Sequence, residues 1–88
     1  MRIVISRTGG FTGIERRAEL DTSGRPDANH LTALAHRALS AAAGERSPGV
    51  PDGFHYEITV DSRTVHCADP HLTHDQRELI RMVLREGA

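Results

Sequence analysis

The sequence contains no lysine and no tryptophan, and all 11 of its basic residues are arginines, set against 12 acidic residues. The formal net charge is −1 and the pI is about 6.6, whereas nucleic-acid-binding domains usually carry a strongly basic surface. We therefore expect neither a DNA nor an RNA partner. The absence of lysine also excludes the lysine-containing phosphate-binding loop of many nucleotide hydrolases.

Cysteine and long apolar segments are equally scarce. The single cysteine, Cys67, excludes an internal disulfide framework. No stretch approaches the roughly 20 apolar residues that a membrane-spanning helix needs, and the run Met1–Ser6 is too short for the apolar part of a signal peptide. We expect one soluble, cytoplasmic domain over residues 1–88, without a membrane partner.

Apolar and polar residues alternate in four segments, a pattern typical of half-buried β-strands. The first two segments cover about residues 2–8 and 14–21 and form a hairpin. Arg16 is the only polar residue on the apolar side of the second segment. The third segment covers 54–60, and the fourth follows a turn at 61–63, which completes a second hairpin.

Two further segments have helical periodicity. The first, over residues 27–43, is rich in leucine and alanine, and Gly44 marks its C-terminal end ahead of a loop over 44–53. The second begins at Thr73, which is predicted to form a capping box with Gln76 three residues later. Its predicted buried stripe consists of Leu79, Ile80, Val83 and Leu84. Its predicted solvated face consists of Arg77, Glu78, Arg81 and Arg85.

The element order β-β-α-β-β-α predicts an α+β domain. Its centre is a four-stranded antiparallel sheet. Because the strands are apolar on one side only, we expect both helices to pack on that face of the sheet and the opposite face to stay open to solvent.

Six histidines raise the question of a metal site. His71 and His74 are three residues apart at a helix start, and His55 and His66 are expected on the open face of the sheet near Glu57. A zinc site requires three or four ligands in tetrahedral geometry. This scattered set instead predicts solvated histidines, and the interpretation as a metal-dependent hydrolase has the weakest support.

Nucleophilic catalysis has equally little support in the sequence. Cys67 lies in an apolar strand pattern and is expected to be a small buried side chain rather than a reactive thiol. We therefore expect no enzyme activity, no metal and no cofactor, and we interpret the chain as a binding domain.

The stretch Arg7–Ile14 is the most informative part of the chain, because three glycines surround Phe11 at the tip of the first hairpin. Glycine permits positive φ angles and close approach by another backbone. An exposed aromatic side chain on such a turn is suited to anchor a partner's pocket. The alternative is a glycine-rich turn whose phenylalanine folds back over the sheet edge.

This stretch, together with the Ile-Val-Ile first strand, the segment Gly53–Ile58 and the helix entry Asp69–Thr73, resembles the emfourin family. The most specific part is Gly-Gly-Phe-x-Gly-Ile, in which this chain has Thr12 where we expect alanine in the family. The resemblance covers nearly the whole chain. It implies a small cytoplasmic bacterial inhibitor of protealysin-like zinc metalloproteases of the thermolysin family, with no catalytic residue and no metal or cofactor of its own.

The resemblance also suggests how such a protease is bound. The tip of the first hairpin enters the active-site cleft, and Phe11 takes or borders the apolar pocket for the residue after the scissile bond. The expected protease-binding residues are Arg7, Thr8, Gly9, Gly10, Phe11, Thr12 and Gly13.

Two alternatives stay open. In the first, the inhibitory contact comes from the loop at 44–53 or from the turn at 61–63. In the second, the chain is a small regulatory or adaptor domain that binds a non-protease protein through the open sheet face. The residues that matter there are His55, Glu57, Thr59 and His66.

Overall fold

The computed structural model describes residues 1–9, 15–42, 53–69 and 71–88. Its six elements are β1 Arg2–Gly9, β2 Arg16–Asp21, α1 Ala28–Ala42, β3 Phe54–Val60, β4 Arg63–Ala68 and α2 His74–Glu86. The predicted order and the α+β fold class are confirmed. β2 begins at Arg16 rather than at residue 14, and the predicted cap at Gly44 lies outside the described residues, as does most of the loop at 44–53.

The four strands form one antiparallel sheet in the order β2-β1-β3-β4. β1 is central, and its Ile5 lies between Ala18 of β2 and Ile58 of β3. All three side chains are buried. Because successive side chains of a strand alternate between the two faces, this register gathers the apolar residues on one face.

Both helices pack on that apolar face. The described members of the two apolar stripes are buried, and Leu84 is half-buried at the rim. They are Leu31, Leu34, Ala35, Ala38 and Leu39 of α1 and Leu79, Ile80 and Val83 of α2. Apolar burial of this kind is the main favourable contribution to folding. The core consists of Ile3, Ile5, Ala18, Leu20, Leu31, Leu34, Ala35, Ala38, Leu39, Tyr56, Ile58, Val60, Leu79, Ile80 and Val83.

The start of α2 has the predicted capping box. The Thr73 hydroxyl accepts a hydrogen bond from the Gln76 backbone N–H at 3.1 Å, and the Thr73 N–H donates to the Gln76 side-chain oxygen at 3.0 Å. The sequence does not predict that Gln76 is also buried, with 2% of its surface exposed. Its Nε2 donates to the Ala38 carbonyl of α1 at 3.2 Å, so one side chain both caps α2 and joins the two helices.

The residues after α2 lie against β2. Glu19 and Ala88 exchange two backbone hydrogen bonds, each 3.0 Å long, and the Gly87 N–H donates to the Val83 carbonyl. These bonds hold the C-terminal end of α2 beside β2, which is the second strand of the first hairpin.

Candidate functional site

The end of β1 carries the described part of the predicted protease-binding segment. Arg7, Thr8 and Gly9 belong to β1, whereas residues 10–13, Phe11 included, lie outside the described residues. Backbone pairing between β1 and β3 extends to Gly9. The sheet therefore holds the strand up to the residue at which the loop begins.

Gly9 occupies a position that only glycine fits well. Its φ is +92°, and a Cβ added there would lie 2.9 Å from the Gly53 carbonyl oxygen. Both the left-handed backbone and the close approach of the Gly53 backbone disfavour any side chain. Gly9, the first glycine of the segment, thus has the positive φ and the close backbone contact that glycine permits.

We expect Gly9→Ala to lower the free energy of unfolding by about 2 kcal/mol or more, since the positive φ costs about 1–2 kcal/mol and the backbone contact adds to it. Urea unfolding followed by circular dichroism measures this loss. Gly24→Ala is the matched control, because Gly24 also has a positive φ, of +79°, but nothing within 4 Å of an added Cβ. Equal losses in the two variants would show that the contact with Gly53 is unimportant.

An aromatic and cationic cluster lies beside the base of the loop. The guanidinium carbon of Arg7 is 4.4 Å from the centre of the Phe54 ring, a cation–π distance. The Phe54 and Tyr56 rings are 6.3 Å apart and tilted by 55°. Burial raises the pKa of the Tyr56 hydroxyl, although the positive charge of Arg7 acts to lower it. Arg7, expected at the rim of the loop, thus points to the helix side of the sheet.

A groove of about 530 Å³ lies between α2 and the β1–β2 end of the sheet. We call it the arginine groove. Arg16, the polar misfit on the apolar side of β2, lines it and donates from Nη2 to the Leu84 carbonyl at 2.7 Å. The described lining residues are Arg7, Arg16, Tyr56, Asp69, Leu72, Arg77, Ile80, Arg81, Leu84 and Arg85.

The arginine groove is strongly cationic. Its described lining includes five guanidinium groups and a single carboxylate, that of Asp69, whose Oδ2 accepts a long hydrogen bond of 3.4 Å from the Phe54 N–H. The predicted solvated face of α2, with Arg77, Arg81 and Arg85, is exposed. That this face borders a groove was not predicted. The signals for it in the sequence were the intervals of four residues between these arginines and the position of Arg16.

The open face of the sheet has a different character. The Glu57 and His66 side chains are 3.1 Å apart, as the sequence predicts for neighbours on this face, and the Thr59 and Thr64 hydroxyls share a hydrogen bond of 3.0 Å. A depression of about 400 Å³ on this face has both acidic and basic lining residues. Its charges are mixed, unlike those of the arginine groove.

Among residues 1–9, 15–42, 53–69 and 71–88, no three His, Cys, Asp or Glu side chains come together as a metal site would require. Cys67 is half-buried on β4, and burial together with the nearby Asp69 raises the pKa of its thiol to about 11. Such a thiol is poorly ionised at neutral pH, which disfavours a role as nucleophile.

We expect iodoacetamide to alkylate Cys67 about 100-fold more slowly in the folded protein than in the urea-unfolded chain at a pH of about 8, because the thiolate is the reactive form. The raised pKa predicts that the rate in the folded protein rises with pH until the thiol ionises at about 11. Mass spectrometry at timed intervals measures both rates. Similar rates in the two states would mean that the thiol is activated and would reopen the question of a catalytic cysteine.

In the part of the chain that the structure describes, no helix is both long and apolar enough to cross a bilayer.

Comparison with known proteins adds one finding. The family model described as Emfourin matches residues 5–84, which include β2, both helices, β3, β4 and the glycine-rich loop. No curated protein matches the chain. No solved structure matches it either.

Proposed function

This chain belongs to the emfourin family, and from that premise we propose that it is a proteinaceous inhibitor of a thermolysin-like, protealysin-type zinc metalloprotease. Membership of the family suggests a protease-inhibitor role, and the match over residues 5–84 is the observation that carries the proposal. The specific class of protease follows from the family resemblance, as does the proposal that the protein acts in the cytoplasm. In this role the chain is a binding protein rather than an enzyme.

We propose that the inhibitory contact is made by the loop between β1 and β2, with Phe11 in or beside the apolar pocket of the protease. The described geometry supports this assignment at the base of the loop. Gly9 is held by β3 in a conformation that favours glycine, so the sheet restrains the strand from which the loop begins. A preorganised loop loses less entropy on binding than a flexible one, and a fixed starting point at Gly9 favours preorganisation.

The remaining members of the segment have distinct parts in this proposal. Thr8 is exposed and, with Thr12, forms the polar rim of the contact. Arg7 contributes from the helix side, where its guanidinium group stacks on Phe54. Gly10 and Gly13 allow close approach of the protease backbone.

Titration of the purified protein into a thermolysin-like protease, with cleavage of a short peptide as the readout, tests the proposal. We expect stoichiometric loss of activity, with the inhibitor still intact by mass spectrometry afterwards. Full activity of both a protealysin-like enzyme and thermolysin at an excess of the protein would contradict the proposal. That result would favour the adaptor alternative, in which His55, Glu57, Thr59 and His66 on the open face matter most.

A further inference from the structure

We propose that the arginine groove binds an acidic, extended peptide segment of a partner protein. The inference goes beyond protease inhibition, because it concerns a surface on the helix side of the sheet and a ligand defined by its own charge. Four features of the groove support the proposal: arginines without ion partners among the described residues, the size of the groove, its apolar lining and the spacing of its arginines.

The charges of the groove are not compensated from within the described chain. Among the described residues, Arg7, Arg16, Arg77 and Arg81 form no ion pair, and Arg85 contacts only the neighbouring Glu86, at 3.3 Å. Elsewhere, by contrast, Arg2, Arg25 and Arg37 each pair with a carboxylate. Like charges four residues apart on a helix repel each other. A carboxylate-bearing ligand would relieve this repulsion.

The size and the apolar lining of the groove fit a peptide better than a small anion. Its volume of about 530 Å³ lies in the range of sites for ligands of many atoms, whereas a water molecule takes up only about 30 Å³. Leu72, Ile80 and Leu84 contribute apolar lining. Such a surface favours a ligand that has apolar side chains as well as carboxylates.

The spacing of the arginines fits an extended chain. Arg77, Arg81 and Arg85 follow one another at intervals of four residues, which corresponds to about 6 Å along the helix axis. Side chains on the same face of an extended peptide are about 6.6–6.8 Å apart. Acidic residues at every second position would therefore meet successive arginines, and guanidinium groups suit forked contacts with carboxylates.

Fluorescence anisotropy with a labelled synthetic peptide, Glu-Leu-Glu-Val-Glu-Ser-Glu, tests the inference directly. The comparison peptide carries glutamine in place of each glutamate. We expect the acidic peptide to bind the parent protein at least about tenfold more tightly than the glutamine peptide, and binding to weaken as salt rises from about 0.05 to about 0.5 M.

Two double variants with the same change in net charge locate the binding site. R77Q with R81Q alters the groove and is expected to weaken binding of the acidic peptide about tenfold or more. R17Q with R63Q alters two exposed arginines that do not line the groove. This variant is expected to bind the acidic peptide with an affinity within about twofold of that of the parent protein. Thermal unfolding of both variants shows whether the fold is retained.

Loss of binding in the groove variant alone supports the inference. No binding of the acidic peptide by the parent at about 1 mM, or equal loss in both variants, would overturn it. Displacement of the peptide by inorganic phosphate at similar concentration would mark a small-anion site and also overturn it.

A second measurement applies if the groove variant fails to fold. It records the changes in the backbone amide NMR signals of the parent protein when the acidic peptide is added. Changes confined to residues away from α2 and β2 would contradict the proposal. None of these results depends on whether the protein inhibits a protease.

Discussion

Phe11→Ala is expected to weaken inhibition of a thermolysin-like protease about 30-fold, which corresponds to about 2 kcal/mol of binding free energy. In the proposed contact, Phe11, the aromatic residue of the glycine-rich segment, lies in or beside the apolar pocket of the protease. Truncation to alanine removes most of the apolar area that would fill the pocket. The inhibition constant, measured from residual peptidase activity over a range of inhibitor concentrations, gives the effect.

Controls separate a lost contact from a lost fold. Thermal unfolding of the variant supplies the first control, because a melting temperature close to that of the parent shows that the fold is kept and that the loss of inhibition reflects a lost contact. The matched control is E57Q with H66Q, which alters the hydrogen-bonded pair on the open face of the sheet and is expected to inhibit as well as the parent.

Two results would contradict the loop assignment. If the folded Phe11→Ala variant inhibits as well as the parent, the contact lies elsewhere, and the loop at 44–53 and the turn at 61–63 become the next segments to test. If the open-face variant alone loses inhibition, the sheet face is the binding surface. In both cases the inhibitor proposal itself survives, since it rests on family membership.

Gln76→Glu is expected to lower the free energy of unfolding by about 3 kcal/mol near neutral pH. Gln76 is buried, and its Nε2 donates to the Ala38 carbonyl. The substitution places a carboxylate oxygen against that carbonyl oxygen, at a position where burial leaves little access to solvent for the charge. A negative charge in the first turn of α2 is favoured by the helix dipole, but only by about 0.3–1 kcal/mol, so burial dominates.

The sign of the pH dependence follows from the same contacts. Burial raises the pKa of the new carboxyl group in the folded state above its unfolded value of about 4.3. The folded state then binds the proton more tightly, so stability relative to the parent is lost as pH rises above about 4.3, by about 1.4 kcal/mol per pH unit until the folded-state pKa is reached. When protonated, the group donates to Ala38 as the amide does.

Gln76→Met is the matched control, since it keeps a similar volume but removes both side-chain hydrogen bonds without adding a charge. It is expected to cost about 1–2 kcal/mol at every pH. Urea unfolding of the two variants and the parent at about pH 4 and about pH 7 measures all these quantities. If the loss in free energy of unfolding caused by Gln76→Glu is the same at the two pH values, the site is open to water.

Much of the fold was predictable because its signals are local. Period-two alternation marks β3, the leucine and alanine stripe marks α1, and the pairing of Thr73 with Gln76 marks the start of α2. Each of these patterns depends on residues within a few positions of one another. The bounds of the elements were less accurate, as the later start of β2 at Arg16 shows, because strand ends depend on pairing with a distant partner.

The candidate site was predictable only in part. The resemblance points to the segment from Arg7 to Gly13, and the positive φ of Gly9 is what glycine at the end of β1 leads one to expect. The Gly53 carbonyl that restricts Gly9, however, is contributed by a residue 44 positions away, by the numbering. No local pattern identifies that contact.

The sequence by itself determined the class of the fold, the order of its elements, the capping box and, through resemblance, the family. The tertiary structure alone decided that Gln76 joins α2 to Ala38 of α1, and that Arg16 reaches Leu84 across the arginine groove. The physical reason is the range of the interactions: periodicity and capping act within one or two helical turns or strand pleats. Contacts between residues far apart in the chain exist only after the helices pack on the sheet, and the sequence does not record them.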